Sequence, residues 1–238
     1  EISADAEFRT ILGAGAGQAL PQSAHAVHVE IGGLEPQHDY FYRFTALGER
    51  SPTGRARTLP AASAAVAELR FGVAGCQRWE HGYFTAYRHL AAENFDFVFH
   101  FGDYIYEYNF VREGRAGNPP IIRAMPEHYR LCLTLADYRN RYALYKSDPD
   151  LQAAHASAPF VISFDDHEVE NDWTSDHSIR GYEAAPAAQF LLRRAAAFQA
   201  WYEHTPVRAA QAPRGPDILA YRRFSVGRLA TLNVDRKS

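Results

Sequence analysis

The feature that most constrains the fold is a strand–helix–strand pattern between residues 70 and 101. Arg70–Ala74 (RFGVA) and Phe95–Phe101 (FDFVFHF) are short apolar runs, as expected of buried strands. Tyr83–Glu93, which lies between them, carries its apolar residues at helical spacing. A unit of this kind requires parallel pairing of the two strands and a right-handed crossover connection. The sequence therefore predicts an α/β sheet with helices packed beside it.

Later segments extend this unit. Phe160–Phe164 (FVISF) is a third apolar run and predicts a third buried strand. Thr134 is expected to cap a helix, with Asp137 three residues later as an acidic variant of the capping box. We expect helices and a closing hairpin over the following ranges: Thr134–Tyr145, Asp150–Ala156 and Ala184–Glu203 for the helices, and Tyr221–Val226 with Leu229–Val234 for the hairpin.

Residues 1–60 have a different pattern, typical of short β-strands. His25–Ile31 alternates apolar and polar residues, and Tyr40–Ala46 is rich in aromatic residues. Pro60–Ala67 is rich in Ala and Ser and reads as a linker. We therefore expect a small all-β sandwich over residues 1–60, followed by a larger α/β domain over residues 61–238.

Composition and charge limit the classes of function. The chain has 238 residues, of which 47% are hydrophobic and 22% charged, as in globular proteins. The formal net charge of −3 gives no support for a basic nucleic-acid-binding surface. No apolar run approaches the roughly 20 residues of a membrane span. The two cysteines, Cys76 and Cys132, do not form a disulfide framework. We expect a monomer.

Residues that can bind metal follow each of the three predicted strands. Cys76 follows the first strand, Asp103 the second, and Asp165, Asp166 and His167 the third. The carboxyl ends of strands in an open α/β sheet form one crevice, where ligands bind. A single Asp in such a position is more often a turn residue, but three such strand ends favour a common site.

Asp103 and Tyr106 lie three residues apart in the segment Gly102–Tyr108 (GDYIYEY). That spacing lets both side chains reach one ion, and a phenolate is a good ligand for a ferric ion. The alternative is that the tyrosines are packing aromatics, which we expect of Tyr104 and Tyr108. We favour Tyr106 as a ligand.

The segment 164–172 (FDDHEVEND) carries six ionisable groups and one amide directly after a buried strand. Adjacent carboxylates are costly to desolvate unless cations neutralise them, and their oxygens suit Ca²⁺ or Mg²⁺. His167 could bind metal or donate a proton to a leaving group. A solvated run of charges is the alternative for this segment, and a small buried hydrophobe is the alternative for Cys76.

Together these motifs resemble the PhoD-type alkaline phosphatase/phosphodiesterases of the metallophosphoesterase group. The resemblance rests on Gly75-Cys76-Gln77, the segment Gly102–Tyr108 and the segment Asp165–Asn171. It extends to the N-terminal strands, through Tyr42-Arg43-Phe44, and covers the chain to about Val226. It implies a metallophosphoesterase-like sheet with flanking helices, preceded by the β-sandwich.

The resemblance also implies a function, which is hydrolysis of phosphate mono- or diesters by a metal-activated water. The implied cofactors are Fe³⁺ and Ca²⁺, and the implied location is periplasmic or extracellular after export. Asp103 would bridge the metals, and His167 would lie near the phosphate. The full set of implied metal ligands is Cys76, Asp103, Tyr106, Asp165, Asp166 and Asn171.

Two departures from the family pattern matter. Asp172 stands where family members commonly have a second asparagine, and both side chains offer oxygen ligands. The family also continues beyond the length of this chain, with further Asp and His ligands, so we expect the C-terminal half to be missing. The alternative function is a catalytically inactive metal-binding or interaction protein. A calcium-dependent adhesion module is a weaker third possibility.

Overall fold

The computed structural model describes residues 1–109, 121–178 and 186–235. It contains mixed α and β structure, with the strands distributed over small separate sheets. Residues 110–120, the first two residues of the predicted helix 184–203 and the last three residues lie outside the described ranges; we expect the segment 109–124, which is rich in Gly, Pro and Arg, to be a surface loop.

The N-terminal region forms a small antiparallel sheet. Its strands pair in the order β2-β1-β3-β6. A separate antiparallel pair consists of β4 and β5, with two residues in each strand. The strands are β1 (Ile2–Ser3), β2 (Ile11–Gly13), β3 (Asp39–Tyr42), β4 (Thr45–Ala46), β5 (Glu49–Arg50) and β6 (Gly54–Arg57). The described residues of this region therefore hold one four-stranded sheet and one two-stranded sheet.

The strand predicted over residues 25–31 is wrong, because this segment joins no described sheet. Its alternating pattern has another cause. A Cβ placed on Gly15 would lie 2.4 Å from Val29 Cγ1, and one on Gly17 would lie 2.3 Å from Val27 Cγ1. The valines therefore pack directly over glycines of a neighbouring segment, without a backbone hydrogen-bond ladder.

The second part of the chain contains the predicted α/β unit. Strands β7, β8 and β9 form a parallel sheet in the order β7-β8-β9, which confirms the pairing predicted from the crossover pattern. The elements are β7 (Phe71–Ala74), α1 (Thr85–Ala92), β8 (Phe97–His100), α2 (Leu135–Lys146), α3 (Pro149–Ser157), β9 (Phe160–Ile162), α4 (Ala187–His204) and the antiparallel hairpin β10 (Arg222–Val226) and β11 (Ala230–Val234).

Side chains cap two of these helices, and the first cap was expected from the sequence. Thr134 caps α2 by accepting a hydrogen bond from the Asp137 backbone N–H, and the Asp137 side chain accepts one from the Thr134 backbone. This reciprocal pair is the predicted capping box. Asp148 caps α3 in a similar way and is followed by proline in the first turn.

One face of the parallel sheet is buried under helices, and the other is partly open. Val98 and Ile162 have no exposed surface, and Gly72 lies in contact with Leu90 of α1. On the opposite face Val73 is 58% exposed. Because successive side chains of a strand point to opposite faces, this contrast marks one covered and one uncovered face.

The N-terminal sheet contacts the parallel-sheet region through arginines of β6. The Arg55 guanidinium donates hydrogen bonds to the carbonyls of Phe95 (3.0 Å) and Ser157 (3.2 Å), and Arg57 forms an ion pair with Asp96 (3.0 Å). The division of the chain into domains at residue 60 stays a prediction. Among the described residues, no helix is both long and apolar enough to cross a membrane.

Candidate metal centre

The carboxyl ends of β7, β8 and β9 bring the predicted site residues together. The backbone N–H of Cys76 donates to the carbonyl of Gly102 (3.1 Å), and that of Gln77 donates to the carbonyl of Asp103 (3.2 Å). The loops that follow β7 and β8 therefore continue side by side after the strands end. This pairing fixes Cys76 beside Asp103, although 26 residues separate them in the chain.

The backbone at these loops adopts conformations that most residues avoid. Cys76 (φ 53°) and Asp103 (φ 51°) are both left-handed, and Gly102 has φ 128°. Non-glycine residues in this region are uncommon and occur preferentially at functional sites. A Cβ on Gly102 would lie 2.3 Å from the backbone nitrogen of Asp165, so glycine is required for β8 and the loop after β9 to approach.

Asp103 is the centre of the cluster. The Cys76 thiol donates to Asp103 Oδ2 at 3.3 Å, and the Tyr106 hydroxyl donates to the same oxygen at 3.2 Å. The other oxygen, Oδ1, is buried and has no hydrogen-bond partner among the described residues. A buried carboxylate oxygen without a donor is costly, and a cation removes that cost.

Burial opposes charge on all three groups. Burial raises the pKa of the Cys76 thiol to about 11, and the nearby Asp103 carboxylate adds to this shift. Burial likewise raises the pKa of Tyr106 and that of Asp103. Since a thiol and a phenol bind metals only after losing the proton, a bound cation would have to displace the protons of Cys76 and Tyr106.

Asp166 and His167 complete the cluster from the loop after β9. One potential ligand atom from each of Asp103, Asp166 and His167 lies within 4.8 Å of the others. The His167 ring also lies 4.1 Å from the Tyr106 ring, measured between centroids. Carboxylate oxygens, an imidazole, a phenol and a thiol form a donor set that fits metal ions.

The remaining two predicted ligands lie at the margin of this cluster. Asp165 is exposed, and its backbone N–H donates to Glu168 Oε2 at 2.7 Å. The Asn171 side-chain amide donates to Asp172 Oδ2 at 2.6 Å. The structure thus brings Cys76, Asp103, Tyr106, Asp166 and His167 together and places Asp165 and Asn171 beside them.

Glu168 is a site residue to which the sequence analysis assigned no role. It is fully buried, and its carboxylate accepts backbone N–H groups from Asp103 (3.0 Å), Tyr104 (2.6 Å) and Asp165 (2.7 Å). It therefore ties the loop after β8 to the loop after β9. Burial and the nearby Asp103 charge raise the pKa of Glu168 to about 8, although the three N–H groups favour its charged form.

Glu107 and Glu170 were also missed. Glu107 Oε2 lies 2.7 Å from His167 Nδ1, and its Oε1 accepts the backbone N–H of Asn171 at 2.8 Å. Glu170 is paired with the buried Arg193. These acids are satisfied by the protein itself, so the acidic run does not act as one block of metal ligands. Glu107 lies in the segment Gly102–Tyr108 and Glu170 in the segment 164–172, and their place in these motifs was the only signal in the sequence.

The chain matches the models of a known protein family. The model of the PhoD-like phosphatase family matches residues 71–235, and the model of the PhoD-like phosphatase N-terminal domain matches residues 1–60. The chain belongs to the PhoD-like phosphatase family. The resemblance of the strand-end motifs to this family is thereby confirmed.

Two relatives of this PhoD-like phosphatase chain are informative. Alkaline phosphatase D of Bacillus subtilis (strain 168) is 47% identical over 237 residues, which is 98% of this chain and 39% of the relative. A solved structure described as the structure of PhoD matches with a TM-score of 0.86 and 47% identity, over 98% of this chain and 43% of that one. The chain thus spans about two fifths of the length of these relatives.

Proposed function

We propose that this chain forms part of a metal-dependent site that hydrolyses phosphate mono- or diesters, within a metallophosphoesterase-type sheet. The observation that carries the proposal is the convergence of Asp103, Asp166 and His167 at one edge of the parallel sheet, with ligand atoms within 4.8 Å. The 47% identity to an alkaline phosphatase supports the reaction class.

We assign the ligands by the chemistry of their donor atoms. The Cys76 thiolate and the Tyr106 phenolate suit Fe³⁺, while the oxygens of Asp165, Asp166 and Asn171 suit Ca²⁺. Asp103 would bridge the two ions, since Oδ2 already faces Cys76 and Tyr106 and the buried Oδ1 is unpartnered among the described residues. When bound, such cations offset phosphate charge and activate water for attack on phosphorus.

His167 is assigned the role of proton donor to the leaving group. Burial alone would lower the pKa of His167, but the hydrogen bond and charge of Glu107 outweigh it and raise the pKa above its usual value. Glu107 occupies Nδ1, which leaves Nε2 as the ring nitrogen for the substrate. A histidine whose pKa is raised in this way is suited to donate a proton.

Three further assignments follow from the family. We propose that residues 1–60 and 61–238 fold as separate domains. We propose that the protein acts in the periplasm or outside the cell, as a monomer. The relatives are more than twice as long as this chain, so we propose that further metal ligands lie in the part of the relatives that it does not cover.

That difference in length also favours a second candidate function. A chain that holds only part of the ligand set could bind metal without catalysis and act as a metal-binding or interaction protein. Both functions require the same cluster, so metal content and turnover must be measured separately.

The first experiment is elemental analysis of the gently purified chain, beside the variants Asp103→Asn and Asp217→Asn. Asp217 is a matched control because its side chain is 81% exposed. We expect iron and calcium near stoichiometry in the parent and the control, and loss of both in Asp103→Asn. A folded but metal-free parent would overturn the assignment for this chain.

The second experiment measures hydrolysis of p-nitrophenyl phosphate and bis-p-nitrophenyl phosphate. The residue equivalent to Asp103 is changed to Asn in the full-length Bacillus relative. A lost metal bridge should lower turnover by about a hundredfold or more. Retained activity would disprove the bridging role. Metal binding without turnover by the 238-residue chain would support the non-catalytic function for this chain alone.

A further inference from the structure

A groove lies between the N-terminal sheet and helices α2 and α3, and none of its lining residues belongs to the metal centre. It consists of two cavities of about 260 and 780 Å³. Both are lined by Tyr42, Phe44, Lys146 and His155, so they meet at these four residues. Cavities of roughly 300–1,000 Å³ are typical of small-molecule sites.

Lys146 lies where the two cavities meet. It is one of only two lysines in the chain, beside Lys237, among 25 Lys and Arg residues. Its ammonium lies 5.0 Å from the centroid of the Tyr104 ring. Within the described ranges, no carboxylate forms an ion pair with it.

The acids that line or flank the groove have other partners, and Glu30 Oε1 in the larger cavity accepts the backbone N–H of Ala209 at 2.9 Å. Glu203, which lines the larger cavity, is held by Arg139 at 2.6 Å. Asp39 of β3 pairs with Arg55 at 2.6 Å, and Asp148, two residues after Lys146, pairs with Arg123 at 2.7 Å. Lys146 therefore carries a positive charge that no side chain described here balances.

Two histidines beside Lys146 do not supply a counter-charge either. The His155 Nε2 lies 2.9 Å from the Tyr104 hydroxyl, and the His204 Nδ1 lies 2.8 Å from the Ala200 carbonyl. Burial and the Lys146 charge lower the pKa of His155 and that of His204. These imidazoles are neutral at pH 7, so they offer polar contacts to a ligand.

Aromatic side chains form the wall next to this charge. Phe44 is 50% exposed and meets Tyr42 edge-on, with 6.1 Å between ring centroids. Phe160 lines the larger cavity and stacks on His155 at 3.9 Å. An exposed phenylalanine beside an unbalanced lysine favours a ligand with an apolar ring and a negative group.

We propose that this groove binds an aromatic oxyanion, with its carboxylate or phosphate at Lys146 and its ring against Tyr42 and Phe44. The oxyanion balances the half-buried ammonium, and the ring covers aromatic surface that water otherwise contacts. The proposal is independent of phosphoester hydrolysis, because it uses none of the residues of the metal centre.

The test uses the small number of lysines. The chain is treated at pH 8 with a limiting amount of acetic anhydride, with and without benzoate, and acetylation is measured at Lys146 and at Lys237 by peptide mass spectrometry. At about three times its dissociation constant, benzoate should slow acetylation of Lys146 about fourfold by mass action and leave Lys237 unchanged. The readout is specific to one residue, so benzoate bound at the metal centre does not interfere.

Controls separate charge from apolar contact. Benzyl alcohol at the same concentration has the ring without the negative charge and should not protect Lys146. Phe44→Ala should weaken protection of Lys146 by benzoate. Leu219→Ala is the control at an exposed apolar residue outside the groove (61% exposed) and should leave the protection unchanged. Equal protection by benzyl alcohol, or no protection by benzoate, would overturn the proposal. Protection by inorganic phosphate as well would identify the oxyanion as the main determinant.

Discussion

At the scale of single residues, the site depends on which acidic side chains have hydrogen-bond donors within the protein. Glu168 receives three backbone N–H groups, and Glu107 is bonded to His167 and to the backbone of Asn171. Asp103, in contrast, keeps one buried oxygen without a donor among the described residues. Among these acids, the aspartates rather than the glutamates are therefore the candidate cation ligands.

Replacing Glu168 with Gln should destabilise the chain at pH 9, where the Glu168 carboxylate is ionised. Glutamine has one acceptor oxygen, and its NH₂ group would face a backbone N–H that the carboxylate now accepts. Leaving buried donors unpaired costs about 1–3 kcal/mol, and we expect a loss of that size in the free energy of unfolding in urea. The matched control is Glu93→Gln, whose side chain is 54% exposed, with an expected change within about 0.5 kcal/mol. Equal effects of the two changes would refute the role of Glu168.

The lowered pKa of Lys146 predicts that the free energy of unfolding depends on pH. Burial lowers the pKa of Lys146 from 10.5 to about 8. Between these values the unfolded chain binds more protons than the folded chain, so this residue makes the free energy of unfolding increase with pH. The variant Lys146→Met should lack that increase and be more stable than the parent at pH 7 by about 1–2 kcal/mol.

Urea unfolding of the parent and of Lys146→Met at pH 7 and pH 10 measures this difference. The stability gap should narrow at the higher pH, where the lysine is neutral in the folded protein. Lys237→Met controls for the loss of one amine and should leave the pH profile unchanged. A gap that stays constant between the two pH values would show that Lys146 titrates normally.

At the scale of elements, the geometry of the site depends on how closely the loop after β8 approaches the loop after β9. Gly102 allows this approach, because it has φ 128° and lies against the backbone of Asp165. The strands place the loops side by side, and the glycine sets the distance between them. The geometry of the candidate metal centre therefore depends on Gly102 as well as on the candidate ligands.

The change Gly102→Ala should disrupt both stability and metal binding. Its Cβ would lie 2.3 Å from the Asp165 nitrogen, and the left-handed φ adds strain. We expect a loss of about 2 kcal/mol or more in thermal or urea unfolding, with reduced metal content. Gly32→Ala is the control, since nothing lies within 4 Å of its Cβ position. A stable Gly102→Ala chain with full metal content would contradict this account.

At the scale of the whole molecule, the parallel sheet has one uncovered face. Phe71, Val73 and Phe101 are 46%, 58% and 41% exposed, although they follow the apolar pattern of buried strands. Contiguous exposed apolar surface of this kind is uncommon on isolated domains and marks a contact surface. The chain spans about two fifths of the length of its relatives, which have additional sequence that could cover this face.

This face should bind the neutral hydrophobic dye Nile red. Val73→Thr keeps the branched shape that suits a strand but adds a hydroxyl, so it should reduce dye fluorescence without a large loss of stability. Leu192→Thr, at a residue of α4 that is 74% exposed, serves as the control and should change the fluorescence less. Unchanged fluorescence in Val73→Thr would show that the dye binds elsewhere.

The sequence by itself determined the order of the elements and the positions of the candidate metal-binding residues at the strand ends. Periodicity is a local property that reports which side of a strand or helix is buried, and it predicted β7, α1 and β8 correctly. The residue types Thr134 and Asp137 predicted the α2 capping box. Periodicity failed at residues 25–31, where alternation arises from packing against Gly15 and Gly17. The motifs at the strand ends also carried enough specificity to indicate the family.

Only the tertiary structure decided how charges are paired. Glu168 meets the backbone of Asp103 across 65 residues of sequence, and Glu107 meets His167 across 60. Lys146 is left without a carboxylate because nearby acids pair with arginines from other elements. Such pairings depend on which loops the packed sheet brings within hydrogen-bond distance, and no local pattern records that distance. For this reason the sequence indicated the candidate ligands, while the fold determined which of the acidic side chains the protein itself neutralises.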